Sequence, residues 1–226
     1  MCGIFALLNN CDTYPEKLVQ KAFDAGKRRG PEKSTFRRAG DRAHFGFHRL
    51  AINGLTEVSD QPMTIGNVML ICNGEIYNYQ QLRDENRDYP WKTFGDSESI
   101  LALHRNATHK INQPTADTHC NWLKQLDGMF ALSLWDPVNK QLILARDEMG
   151  IKPLLRSTID GSLLFASEAK AFHAHPQYRP QMDMEALLAR LVWEYPLDAT
   201  SLFLGVHQVR PGTVEVWSVE DGNARL

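Results

Sequence analysis

Apolar and polar positions alternate along this chain with two different periods, and the changes between them outline an α+β protein. Ile4 to Leu8 is a continuous apolar run short enough to be a buried strand. After Pro15 the apolar positions Leu18, Val19, Ala22 and Phe23 recur at helical spacing, until Gly26, Gly30 and Pro31 interrupt it. His44 to Leu50 and Val68 to Cys72 read as strands, the first alternating through Phe45 and Phe47. Asp96 to His104 is helical, with Ile100, Leu101 and His104 on one side, and a shorter helix surrounds Trp122, Leu123 and Leu126. These apolar stripes are expected to form the core.

The strongest strand pattern comes next. Phe130 to Trp135 and Gln141 to Ala145 flank the turn residues Asp136, Pro137 and Asn139, and Leu163 to Ala166 follows Asp160 and Gly161. Together they predict an antiparallel meander. Met184, Leu187, Leu188, Leu191 and Val192 return to a helical period, and Val214 to Val219 is expected as the final strand. The polar stretch Asn106 to His119 reads as a loop insertion. Without a repeat or a strong linker, a single α+β domain over residues 1–226 is the simplest account.

Composition narrows the functional classes. The 226 residues are 43% hydrophobic, enough for a substantial core, and 25 Lys and Arg nearly balance 27 Asp and Glu. Nucleic acid and anionic membrane surfaces are therefore not the expected partners. No apolar stretch reaches bilayer length and no signal-peptide pattern opens the chain, so a cytoplasmic location is expected. Cys2, Cys11, Cys72 and Cys120 contain no CxxC pair, and the pairs His44/His48 and His173/His175 lack companion ligands, so neither a metal site nor a disulfide framework is expected. No glycine-rich phosphate loop is present, and no cofactor is expected.

The residue with the most distinctive chemistry is Cys2, directly behind Met1. Removal of Met1 leaves one residue carrying both a thiol, ordinarily of pKa about 8.5, and an α-amine of about 7.7 to 8.0, so nucleophile and base share a residue. Asn73 and Gly74, just beyond the apolar run Val68 to Cys72, offer a carboxamide N–H and a backbone N–H suited to an oxyanion, although Asn-Gly is equally a hairpin dipeptide. Arg49 offers a fork for a carboxylate and Asp96 a partner for an ammonium group, and each fits a surface salt bridge as readily.

Taken in order, these segments resemble the glutamine amidotransferase domain of asparagine synthetases, a class II, N-terminal-nucleophile family. The matching blocks are Met1 to Phe5, Arg29-Gly30-Pro31, Phe45 to Ala51, Asn73 to Asn78, Gly95 to Leu101, Leu126 to Trp135, Arg146 to Leu154 and Ala166 to Ala171. The resemblance implies a four-layer αββα sandwich of antiparallel sheets. It implies Cys2 as nucleophile with its own amine as base, Asn73 and Gly74 as oxyanion hole, and Arg49, Glu75 and Asp96 as glutamine contacts. Two departures stand out. The family's His-Arg-Gly-Pro-Asp is Arg28-Arg29-Gly30-Pro31-Glu32 here, and an aromatic pair common after Leu154 is Leu155-Arg156, where altered packing or a partner contact is expected.

A full asparagine synthetase adds an ATP-dependent domain, whose pyrophosphate loop has no counterpart here. The chain is therefore expected to be an excised domain, a truncated product, or a glutaminase subunit serving a separate synthetase. The leading reading is hydrolysis of L-glutamine through a Cys2 thioester. A glutamine-binding regulatory module without turnover, and a terminal-nucleophile hydrolase of another amide, remain as alternatives.

Overall fold

Two six-stranded antiparallel sheets lie face to face in the computed structural model, which describes residues 1–8, 15–40, 43–51, 56–195, 198–220 and 223–226. The first sheet contains β1 (Gly3–Leu8), β2 (Lys33–Ala39), β3 (Ala43–Arg49), β8 (Leu155–Ile159), β9 (Ser162–Ala166) and β10 (His207–Gln208), in the order β10-β8-β9-β1-β3-β2. The second contains β4 (Met63–Ile65), β5 (Val68–Ile76), β6 (Gly128–Asp136), β7 (Gln141–Arg146), β11 (Val214–Glu220) and β12 (Asn223–Arg225), in the order β12-β11-β7-β6-β5-β4.

The two-residue strand period sorts the apolar side chains into three layers. Ile4, Ala6 and Leu8 of β1, Phe45 and Phe47 of β3, and Met69 and Ile71 of β5 meet between the sheets. The alternate residues Phe5 and Leu7 face α1 (Glu16–Asp24) and α5 (Lys170–His173), packing on Val19, Ala22, Phe23 and Phe172. Leu70, Cys72, Leu132 and Leu134 face α2 (Tyr79–Glu85), α3 (Glu98–Thr108) and α4 (Ala116–Leu123), against Leu82, Ile100, Leu101 and Trp122. The result is the expected helix, sheet, sheet, helix order. β1 is an unbroken apolar run because both of its faces are covered. Each fully buried Leu or Phe contributes about 1.5 to 3 kcal/mol of apolar transfer.

Several expectations are corrected. Leu163 to Ala166 does not extend the β6–β7 hairpin; as β9 it pairs with β1 and β8 in the other sheet. Asn106 to His119 is helical at both ends, since α3 runs to Thr108 and Thr115 caps α4 by accepting the Thr118 N–H at 3.3 Å. β12 follows β11, so Val214 to Val219 is not the last strand. Asn73 and Gly74 lie inside β5, opposite Ala131 and Phe130, and form no hairpin turn. The helical period of Met184 to Val192 does form α6 (Met184–Trp193), on which only Ala186 is buried.

The Leu155-Arg156 departure is a packing change. Arg156 Nε reaches Glu215 at 2.7 Å and its guanidinium lies 5.4 Å from the Trp217 ring, tying β8 to β11 across the two sheets. His48, one of the paired histidines, has Nδ1 against Ser34 Oγ and Nε2 against the Phe23 carbonyl, both at 2.8 Å. No described helix is long and apolar enough to cross a membrane, and Cys11 lies outside the described residues.

Candidate active site

The rows of side chains between the sheets change from apolar to polar at one end. Cys2 continues the row of Ile4, Ala6 and Leu8; Arg49 continues Phe45 and Phe47; Asn73 and Glu75 continue Met69 and Ile71. β1 and β3 are antiparallel neighbours with Gly3 opposite His48, which places Cys2 beside Arg49. The ends of these rows form the wall of a cleft lined by Cys2, Arg49, Asn73, Glu75, Asp96 and Lys152, with the Gly74 backbone also on its surface. All six residues singled out from sequence therefore line one cleft, although they come from the residue before β1, from β3 and β5, and from the segment before α3.

The thiol is held by backbone. Cys2 Sγ lies 3.4 Å from both the Leu50 N–H and the Leu50 carbonyl. Arg29 Nε donates to the Cys2 carbonyl at 2.9 Å. Gly30 lets this turn lie on β3, because a Cβ there would stand 2.2 Å from the His48 carbonyl carbon. Glu32, longer than the family's aspartate, accepts the Ala51 N–H at 3.0 Å and so anchors the segment that touches the thiol.

Two donors lie at the wall of this cleft. Asn73 is 2% exposed and its Nδ2 has no hydrogen-bond partner among the described residues, a costly arrangement unless a ligand supplies the acceptor. Gly74 supplies the second by strand parity. The Cys72 N–H donates to Gln61 Oε1 at 2.5 Å and the Ile76 N–H to Asp96 Oδ2 at 2.8 Å, both on the edge of β5 away from β6. Backbone groups two residues apart share an edge, so the Gly74 N–H emerges between these two anchors. β4 leaves that stretch uncovered, since it pairs only with Val68 to Leu70. A side chain at Gly74 is excluded, as its Cβ would meet the Met129 carbonyl at 2.4 Å.

Asp96 is held by the Ile76 N–H at the cleft wall. Burial pushes its carboxyl above the usual range, opposed by the backbone donors of Ile76 and Ser97, while the nearby Glu75 charge adds to the rise. Arg49 Nη1 donates to Asp60 Oδ1 and, at 3.4 Å, to the Thr56 carbonyl. Cys72 lines the cleft as well, but burial pushes its thiol well up, with the Asp96 charge adding to the effect. The described residues hold no group of three or more His, Cys, Asp or Glu able to bind a metal.

Sequence reasoning missed Gln61 and Asp60. Gln61 acts as a one-residue strand on β5, taking the Cys72 N–H and donating Nε2 to the Cys72 carbonyl at 3.1 Å and to Ser97 Oγ at 3.4 Å. Its neighbours in sequence show no helix or strand period, so no local pattern marks it. Lys152 was legible only as part of a matching block; it is 8% exposed, on a loop whose Asp147 accepts the Ile151 and Lys152 N–H groups at 2.9 and 3.1 Å.

Known proteins share this fold and sequence. The glutamine phosphoribosylpyrophosphate amidotransferase of B. subtilis superposes with a TM-score of 0.68 at 18% identity, over 99% of this chain and 48% of that one. The putative glutamine-hydrolysing asparagine synthetase of Mycobacterium tuberculosis is 34% identical over 210 residues, covering 86% of this chain and 30% of its own. Asparagine synthetase 1 of Saccharomyces cerevisiae is 39% identical over 178 residues, 75% of this chain and 28% of its own. The chain thus spans about 30% of the length of such curated relatives. Residues 1–225 match the family model described as the glutamine amidotransferase domain, and the chain belongs to that family.

Proposed function

We propose that the chain hydrolyses L-glutamine to glutamate and ammonia through a γ-glutamyl thioester on Cys2, and that the ammonia serves asparagine synthesis or a related amidation. The observation that carries this reading is the unpartnered Asn73 Nδ2 in the same cleft as Cys2 Sγ. Once Met1 is removed, the α-amine takes the thiol proton and the thiolate attacks the side-chain amide carbon. The developing oxyanion is received by Asn73 Nδ2 and the Gly74 N–H, whose geometry is built before substrate arrives. The amine returns the proton to the departing ammonia, and water then hydrolyses the thioester by the same route.

Arg49 faces the α-carboxylate of the substrate, and Asp96 with Glu75 faces its α-ammonium. Gripping both charged ends holds the scissile amide at the thiol, the proximity contribution to the rate. On this reading residues 1–226 form one amidotransferase domain that works in the cytoplasm beside a synthetase domain or subunit, without a metal or cofactor of its own.

Ammonia release from L-glutamine, assayed together with the intact mass of the protein, tests the proposal. Release by protein lacking Met1, and its loss in Cys2→Ala with the fold retained, is the expected result. Undiminished release by Cys2→Ala rejects the nucleophile. Glutamine binding without turnover by protein that retains Met1 favours a regulatory module, and poor turnover of glutamine beside another amide favours a different substrate.

A further inference from the structure

Lys33 and Arg49 stand directly opposite each other in the β2–β3 register. Two cations in that position repel. Asp60 lies between them, with Oδ1 on Arg49 Nη1 and Oδ2 2.5 Å from Lys33 Nζ. The Arg49 and Asp60 side chains are 12% and 14% exposed, against 45% for Lys33, so the Arg49–Asp60 contact is shielded while Lys33 closes it from the solvent side. Asp60 does not line the cleft that holds Cys2. It lines a neighbouring cavity with Lys33, Glu57 and Lys92, and reaches the guanidinium from behind while Arg49 faces the cleft.

The residue after Asp60 makes this arrangement more than a salt bridge. Gln61 is fastened to both backbone groups of Cys72, the residue immediately before Asn73. Consecutive residues thus grip the carboxylate fork and the strand that carries the oxyanion donors. The peptide joining Asp60 to Gln61 links Arg49 to the strand that carries Asn73.

We propose that Asp60 is a positioning residue for glutamine, acting through Arg49 to hold the guanidinium where the substrate α-carboxylate arrives. The inference rests on the proposed glutaminase reading. With Asp60 in place the Arg49 guanidinium is gripped by a carboxylate as well as by the Thr56 carbonyl before binding; without it, binding bears more of the cost of fixing one long side chain. Lys33 contributes by gripping the second Asp60 oxygen, so its effect passes through Asp60.

Steady-state ammonia release from L-glutamine and from L-glutamine α-methyl ester, which lacks the carboxylate charge, tests this. Asp60→Ala is expected to raise KM for L-glutamine about tenfold, with a much smaller change in kcat, and to leave KM for the ester within about twofold. Lys33→Met is expected to raise KM about threefold, and the double variant to be no worse than Asp60→Ala alone, as coupled residues require. Asp60→Asn keeps the size and removes the charge; it supports the same comparison if Asp60→Ala fails to fold, with a smaller rise. Equal KM changes for acid and ester, a fall in kcat at constant KM, or additive effects of Lys33→Met and Asp60→Ala overturn the proposal. Turnover by the native protein with unchanged KM in both Asp60 variants overturns this inference alone. Absence of both binding and turnover by the native protein overturns the glutaminase reading and this inference with it.

Discussion

β6 runs between two buried polar clusters that differ in how their hydrogen bonds are completed. At its start Met129 lines the cleft, where among the described residues Asn73 Nδ2 has no partner and no strand covers the edge of β5 at Gly74. At its end Asp136 closes the hairpin, taking the Val138 and Asn139 N–H groups at 2.9 and 3.2 Å and Asn139 Nδ2 at 2.7 Å. Beside it the Trp122 indole donates to His119 Nδ1 at 3.2 Å, which puts the His119 proton on Nε2, 3.1 Å from Gln141 Oε1. His104 Nε2 lies 3.8 Å from Asp136, too far for a hydrogen bond, and burial pushes the His104 pKa down despite the neighbouring carboxylate. This contact is therefore not an ion pair at neutral pH. The polar groups of the far cluster mostly answer one another, His104 Nε2 excepted; the buried Asn73 donor instead lies at the wall of the cleft that holds the thiol, where a ligand can supply its acceptor.

The largest test of this contrast is at the thiol. Cys2→Ala is expected to lower glutaminase turnover by at least about 10³-fold with no change in unfolding temperature, measured by ammonia release and thermal melting. Asn73→Leu separates chemistry from stability at a single residue. It is expected to lower kcat by about 10² to 10³-fold, the usual effect of losing an oxyanion donor, while the melting temperature holds or rises because a buried unsatisfied N–H is removed. A melting temperature that falls with kcat breaks the contrast.

The far cluster is expected to respond to acid. His104 and His119 are both depressed by burial, so below about pH 6.5 the unfolded chain takes up protons first and the folded state loses stability as pH falls. The loss is at most about 1.4 kcal/mol per pH unit for each histidine, measured by urea unfolding between pH 7.5 and 5.5. His44, His48 and His175 are depressed too, so the share of the far cluster is the slope removed by His104→Leu. A slope unaffected by that substitution means His104 binds protons alike in the folded and unfolded chain, so that burial does not depress it. The smallest effect is expected at Cys72, which shares the cleft with Cys2 but is buried with its thiol pKa pushed up. Cys72→Ala is expected to keep kcat within about threefold, because an inert thiol contributes packing and no chemistry.

Legibility in the sequence followed from how local each signal is. Ile4 to Leu8, Phe130 to Trp135 and the stripe on α3 were readable because a covered strand and a half-buried helix print their period directly. β2 was not, since Lys33, Arg37 and Arg38 give an edge strand the look of a solvated loop. Leu163 to Ala166 had a clear strand signal but no signal for its partner, and it joined β1 rather than β7. The α6 stripe was readable as a helix but not as an exposed one, because periodicity reports an apolar face and not what covers it; Leu191 is 71% exposed.

The sequence alone determined which reactive groups exist and, through the resemblance of its ordered blocks, which of them belong together: Cys2, Arg49, Asn73, Gly74, Glu75 and Asp96. It also held the parity that turns Cys2, Arg49, Asn73 and Glu75 inward, since each continues an alternating apolar row. Tertiary structure alone decided that these rows end at the same place, because the strand order β9-β1-β3 and the stacking of β5 over it join segments far apart in the chain. It also decided that Gly74 keeps a free edge and that Asp60 and Gln61 brace the cleft from behind. Those roles depend on hydrogen bonds between residues with no common period, and only the folded chain brings their partners within reach.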